Sequence, residues 1–480
     1  MEETIAADYL VVGAGAMGMA FVDTLITDST KTVVVVDRYA RPGGHWTTAY
    51  PFVHLHQPAE WYGVNSKRLE TEGIEEFGWN KGLVGGSSRD EVCAYFEEVM
   101  KKTFLASGRV RYFPKSDYVG EGEFRSIITG KTYRVGKDTC IVDATYSQTV
   151  VPSMRPPPYE VAREVEIVTP NDLPGISRGY ANYTVVGAGK TGMDACLWLL
   201  ENGIDASHIT WIRPRESLLL ERDAFQPGPE FATKSYAFVK GIMESIMVAS
   251  SLEDVLKHLV AAQVLLQVDE SVAPTMFHCG TVSRLEFEAL KQIKSVIRKG
   301  RVTRVTPEEV ILNNGSYKPV PDTLYIDCSA SAIPQVAPVP VFQDHKIILQ
   351  PVRYCQQTFS AAMIAHVEAT YDDEQLKNEL CGPVPMPHEP IDFPVVMLQT
   401  NLNALGWHRQ PKTVAWLSQC RLDYTRYLGM SVPEDAEQKV TYQVQRIMGL
   451  EASCKKIQGL INKLPEKDAA KMNAQLRASL

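Results

Sequence analysis

One run of the chain gathers polar and aromatic side chains able to do chemistry: His45, Trp46, Tyr50, His54, His56 and Gln57. An imidazole changes charge near neutral pH, so it can hold or move a proton. Glutamine offers both a donor and an acceptor, and the indole and phenol supply apolar walls with one polar tip. If the stretch is extended, alternation puts His54 and His56 on one side and Val53 and Leu55 on the other. His54, His56 and Gln57 are therefore the candidate catalytic groups, with a structural hydrogen bond to backbone as the competing use of each histidine. The histidines do not fall in H-x-x-x-H or H-E-x-x-H spacing, so no metal site is expected. A hydrolase is not expected either, because no G-x-S-x-G elbow occurs.

The elements that must position this run come just before it. Asp8-Tyr9-Leu10-Val11-Val12 reads as a buried strand, and Gly13-Ala14-Gly15-Ala16-Met17-Gly18 as the turn that opens a helix. Thr32-Val33-Val34-Val35-Val36 reads as a second strand, with Asp37 and Arg38 at its end. This is a dinucleotide-binding βαβ unit in its full context. Gly13 makes the tight turn, Gly15 lets the backbone approach a pyrophosphate, and Gly18 lets helix and strand pack closely. Asp37, 24 residues beyond Gly13, is placed to accept ribose hydroxyls. A second unit follows: Tyr183-Thr184-Val185-Val186, then Gly187-Ala188-Gly189-Lys190-Thr191-Gly192, an apolar helix, and a strand ending in Arg213 and Arg215. It is not a P-loop, because Thr184 stands where that motif needs glycine. Arginines in place of the acid suit a ribose 2′-phosphate, which they bind through charge-assisted hydrogen bonds. The second site is therefore expected to prefer NADPH to NADH.

The halves match further. Asp138-Thr139-Cys140-Ile141-Val142-Asp143 recurs as Asp322-Thr323-Leu324-Tyr325-Ile326-Asp327, so one module is duplicated. Pro-rich stretches at 151–158 and 333–340 mark crossings between domains. Helices are expected over 90–106, 236–248, 252–266, from Ser283 and over 359–369, and the tail is lysine-rich and expected to fray. With 480 residues, 45% of them apolar, and a net charge of −8, a folded multidomain protein is expected and a nucleic-acid partner is not. The basic run from Lys291 to Arg304 reads as a solvated helix face. No apolar segment is long enough to span a bilayer, and no export signal precedes the first strand. Nine cysteines without a C-x-x-C fit reduced thiols in the cytoplasm.

On these residues the chain resembles the flavin- and NADPH-dependent oxidoreductases with two dinucleotide-binding domains, and within them the class B flavin monooxygenases. Gly43-Gly44-His45-Trp46 is similar to the family's G-G-x-W, and Leu55-His56-Gln57-Pro58 to the L-H-x-P of plant members. The F-x-G-x-x-x-H-x-x-x-[FY] fingerprint is absent before the second turn, and the family's A-T-G is Ala144-Thr145-Tyr146 here. The resemblance implies an α/β fold with two Rossmann-like domains, an FAD domain carrying an inserted NADP domain, and a C-terminal helical segment. The boundaries expected are 1–173, 174–330 and 331–480. FAD would lie on the first turn with Gly44, His45 and Trp46, and the helix start at Gln356, Gln357 and Thr358 would face the flavin. The reaction implied is oxygenation of a small organic molecule by molecular oxygen through a flavin C4a-peroxide. The alternatives are an NADPH-dependent flavin reductase without oxygen insertion, and a dinucleotide-holding regulatory protein.

Overall fold

The computed structural model describes residues 3–69, 73–330, 335–426 and 436–477. Two parallel sheets built on one plan dominate it. In the first, Tyr9–Val12 lies between Cys140–Asp143 and Val33–Val36, Val110–Phe113 follows Val33–Val36, and Lys346–Ile348 flanks Cys140–Asp143. A short antiparallel strand, Phe342–Gln343, closes that edge. In the second, Asn182–Val186 lies between Thr323–Asp327 and Ile209–Ile212, with Ser295–Ile297 and Ile167–Val168 outermost. The repeated Asp-Thr segments take equivalent seats, with Asp143 opposite Val12 and Asp327 opposite Val186. Each half also carries a meander before that strand, over 116–135 and 302–317. The valine-rich strands are buried throughout, as parallel strands covered on both faces require.

Helix Ala16–Asp28 links the first two strands of the first sheet and packs along Gln357–Thr370, so the returning chain completes that half. Lys190–Glu201 plays the linking part in the second. Ser88 with Glu91, and Ser283 with Glu286, form complete capping boxes on Arg89–Glu98 and Arg284–Gln292. The helices Ala232–Val248 and Leu252–Ala261 share one apolar core with Asp392–His408 and Ala436–Ile461, through Phe238, Ile246, Val255, Phe393, Leu398 and Ile457. Among the described residues no helix is long and apolar enough to cross a membrane.

The structure departs from three expectations, and a fourth falls outside the described residues. Glu160–Val161 and Ile167–Val168 pair with strands of the second half, so the crossing comes earlier than residue 173, in the Pro-rich stretch. The return expected at 331 falls on residues 331–334, outside the described residues. The basic run is not one helix face: it spans a helix end and two strands, and Arg298 within it pairs with Glu216 and Asp269. The helix expected over 252–266 stops at Ala261, and Leu265–Gln267 is a strand, its leucines buried in the core.

Candidate functional site

At the first glycine turn the backbone has little freedom. Gly13 sits at φ +105°, where an L side chain is strained, and a Cβ on Gly18 would lie 2.0 Å from the Gly13 carbonyl oxygen. Gly15 differs: a Cβ there meets only Gly44, at 3.6 Å. The Gly43 amide donates to the Ala14 carbonyl at 2.9 Å, so the Gly43–Gly44 turn folds back over the glycine turn and forms a cradle with it. Helix Ala16–Asp28 opens there without a side-chain cap. Its free amides and positive dipole end suit an anion. Asp37 is buried at the strand end, accepting from the Ala14 amide at 2.5 Å and the Tyr39 amide at 2.7 Å. Burial pushes its carboxyl above the usual range, against the two amides. Arg38 points outward, 3.9 Å from Asp117.

The second turn repeats this. Gly187 has φ +136°, and a Cβ on Gly192 would lie 2.2 Å from the Gly187 carbonyl oxygen, which also accepts from Trp211 Nε1 at 2.7 Å. A Cβ on Gly189 would meet nothing within 4 Å, and helix Lys190–Glu201 likewise has no side-chain cap. The two arginines part company. Arg213 is buried, lies over the Trp211 ring and pairs with Glu216 at 2.8 Å, so its charge is already spent within the fold. Arg215 is half-buried and faces Arg301 and His388. Its Nη1 donates to His388 Nε2 at 3.0 Å, which leaves His388 Nδ1 to donate to His278 Nε2 at 2.9 Å. Burial and then the neighbouring His388 and Arg215 hold the His278 pKa down at about 4, so both rings are neutral.

The candidate catalytic run lies where the halves meet. It is not an extended strand; its one bridge is His54 to Ser88. His54 is exposed and its Nδ1 lies 3.1 Å from the Gly86 carbonyl, the structural use of a histidine. His56 turns inward instead: Thr281 Oγ1 donates to its carbonyl at 2.6 Å. Burial, with Lys190 and Arg222 nearby, holds its imidazole well below the ordinary value, so it is neutral. Gln57 Oε1 accepts from Gln356 Nε2 at 3.2 Å, at the uncapped start of helix Gln357–Thr370, and the Thr358 hydroxyl sits 3.5 Å from the Trp61 carbonyl. His45 is exposed and stacks on Trp46, whose Nε1 donates to Tyr62 at 2.7 Å.

Several contacts at this junction were not foreseen. Tyr50 donates to Asp194 Oδ2 at 2.6 Å, and Lys190 pairs with the other oxygen of Asp194, so the second glycine turn is tied to the run at 45–58. Burial and the Asp194 charge push the Tyr50 phenol well above its usual value. The Lys190 and Asp194 spacing of four on a helix was the available signal. Arg222 pairs with Glu286 at 2.8 Å in the interior and also donates to Thr281. Most notably, Cys279 and Cys355 are joined in a disulfide across 76 residues, against the expectation of nine reduced thiols. No local spacing announces such a pair.

No family model matches the chain. Among solved structures it is similar to a flavin monooxygenase from Stenotrophomonas maltophilia (14% identity, 77% of this chain and 99% of that one, TM-score 0.43). It is also similar to the open form of a cyclohexanone monooxygenase (14%, 76% and 88%, TM-score 0.45) and to a bacillithiol disulfide reductase from Bacillus cereus (13%, 72% and 90%, TM-score 0.40). These likenesses are distant and concern the fold, so the chemistry rests on this chain's own residues. Sequence relatives are much nearer: Uncharacterized protein Rv2000 of Mycobacterium tuberculosis and Uncharacterized protein Mb2023 of Mycobacterium bovis are each 49% identical over 421 residues, covering 88% of this chain and 78% of theirs. With its duplicated Rossmann-type halves and this degree of identity, the chain belongs to the family of these mycobacterial proteins.

Proposed function

We propose that the chain is an FAD- and NADPH-dependent oxidoreductase of the cytoplasm, and that it oxygenates a small organic molecule with molecular oxygen as co-substrate. One arrangement carries the reading: two glycine turns, each opening an uncapped helix and each leaving room at its middle glycine, with His56 and Gln57 held where the halves meet by Thr281 and Gln356. Gly13, Gly15 and Gly18, with the helix amides behind them, hold the FAD pyrophosphate, and Asp37 takes its ribose. The Gly44–Trp46 turn and the helix start at Gln356–Thr358 hold the flavin end, where free amides favour negative charge. Gly187, Gly189, Lys190, Thr191 and Gly192 hold NADPH. When bound, the flavin supplies the two-electron chemistry between the nicotinamide and the acceptor. The chain positions both cofactors, and Tyr50, Asp194 and Lys190 couple the two halves around them.

Addition of NADPH without oxygen is expected to bleach the flavin spectrum; no bleaching with excess NADPH sinks the reading. Slow, stepwise return of the oxidised spectrum on mixing reduced protein with oxygen supports oxygen insertion, and immediate return argues against it. A second reading, an NADPH-dependent reductase that inserts no oxygen, is favoured by the disulfide at the junction.

Arg215, with Arg301 beside it, takes the 2′-phosphate, whereas Arg213 anchors the strand end. Arg215→Ala should weaken NADPH by roughly 10-fold or more while sparing NADH, the loss of about one charge-assisted contact. Arg213→Ala should lower stability instead, because it leaves Glu216 short of a partner. Equal losses of NADPH and NADH in the Arg215 variant would move the 2′-phosphate elsewhere. For His56 the lowered pKa gives a sign: the ring is uncharged at neutral pH and above, so flavin reduction should show no inflection from it at the ordinary histidine value of about 6.5. An inflection near pH 6.5 that disappears in His56→Gln would contradict this.

A further inference from the structure

We infer that Cys279 and Cys355 form a redox-active pair, a second two-electron centre of this protein that exchanges with disulfide substrates. The inference rests on the FAD and NADPH reading of the two turns, not on oxygen insertion. The two cysteines come from different halves, and the neighbours of each are fixed by contacts other than the bond. Cys279 follows Phe277, which is fully buried and packs on Tyr354 and Phe393. Cys355 follows Tyr354, whose amide donates to Thr400 Oγ1 at 3.0 Å, and the preceding turn is pinned by Ser360. The Cα atoms stand 6.6 Å apart. Both residues adopt left-handed backbone, φ +56° for Cys279 and +51° for Cys355, which a non-glycine residue seldom adopts and which clusters at functional sites.

Position and exposure separate this pair from the other thiols. Six of the seven unpaired cysteines are buried, and burial pushes their thiols up, as it does for Cys196 and Cys381. Cys279 and Cys355 are only half-buried. They lie beside the two contacts that hold the candidate catalytic run, since Thr281 grips the His56 carbonyl and Gln356 grips Gln57. Cys355 also directly precedes Gln356, the N-cap residue of the 14-residue helix Gln357–Thr370, whose start has no side-chain cap, and the positive helix end favours a thiolate there.

The chemistry balances. NADPH and a proton would supply, by way of the bound flavin, the two electrons and two protons that break the Cys279–Cys355 bond to two thiols. The Cys355 thiolate then attacks one sulfur of a substrate disulfide, whose own bond breaks, and the first substrate thiol leaves with a proton. Cys279 attacks the resulting mixed disulfide, re-forms the bond to Cys355 and releases the second thiol. The substrate class is a disulfide, small enough to reach a half-buried bond.

The test uses the whole FAD-loaded protein without oxygen, read by alkylation and peptide mass spectrometry alongside the flavin spectrum. Cys279 and Cys355 should resist alkylation as purified and should both be labelled after NADPH. Complete reduction should take about two equivalents of NADPH per flavin, falling to about one in Cys355→Ser, each centre accepting one electron pair. Cys279→Ser should behave the same way, so the result does not depend on one variant folding. Labelling of both thiols in the purified protein overturns the inference. Bleaching of the flavin at about one equivalent with the pair still closed overturns it while leaving the cofactor reading intact. No bleaching at all overturns the cofactor reading and this inference with it.

Discussion

Gly15→Val should yield a folded protein unable to hold the proposed FAD, purifying colourless where the parent should be yellow. The two outer glycines of the turn are fixed by the fold itself: a side chain on Gly18 would drive a Cβ to 2.0 Å from the Gly13 carbonyl oxygen, a backbone atom that cannot yield. Gly15 has no such clash, since its Cβ would stand 3.6 Å from the Gly44 Cα, an ordinary contact. The branches of valine extend beyond that Cβ into the cradle under Gly44, where the pyrophosphate is proposed to lie. The affinity for FAD should fall by roughly 100-fold or more, about 3 kcal/mol, because an occupied cradle removes the backbone approach on which the helix-end amides depend. Thermal unfolding and circular dichroism of the apoprotein should stay close to the parent's. Gly18→Ala is the contrast, losing stability and FAD together. A fully yellow Gly15→Val protein would remove the first turn from the flavin site.

The same turn shows how far the amino-acid order alone reaches. Local signals placed both βαβ units, because a glycine fingerprint between two valine-rich strands is complete within about thirty residues. The repeat of Asp138–Asp143 at Asp322–Asp327 placed the neighbouring strands as well, since both segments pair with the strand that leads into the glycine turn of their own half. What could not be read is what the crossing of the halves brings together. Tyr50 and Asp194 are 144 residues apart, and His278 and His388 110, so no periodicity links them. Arg213 was legible as a cation at the strand end, but the Glu216 that occupies it is a neighbour only once the turn after the strand is formed. Alternation failed at His54 and His56 because the stretch makes one bridge and then turns, which sends one histidine to the surface and the other inward.

The Arg222–Glu286 pair should be among the costliest to break outside the glycine turns. Its side chains are 5% and 8% exposed, and the guanidinium makes two contacts to the carboxylate, at 2.8 and 3.1 Å. Burial alone raises the Glu286 carboxyl, but Arg222, with Lys190 behind it, overcomes that and holds it below its ordinary value. Replacing Arg222 by methionine leaves a buried carboxylate without its partner, a loss of about 3–5 kcal/mol in unfolding free energy. Glu286→Gln in the same protein keeps the capping box with Ser283 and removes the stranded charge, so the double variant should recover most of the loss. The pH dependence separates this cause from lost packing. In the parent the depressed carboxyl contributes fully above its ordinary pKa of 4.5, and that contribution is lost only as the pH falls through the lower folded value. In Arg222→Met the unpaired carboxyl is raised instead, takes up a proton on mild acidification, and the deficit against the parent should shrink from about pH 7 to about pH 5. A deficit that stays constant over that range would mean that packing, not charge, is what Arg222 supplies. Because Arg222 also grips Thr281, and Thr281 grips the His56 carbonyl, the variant should slow flavin reduction even where it remains folded.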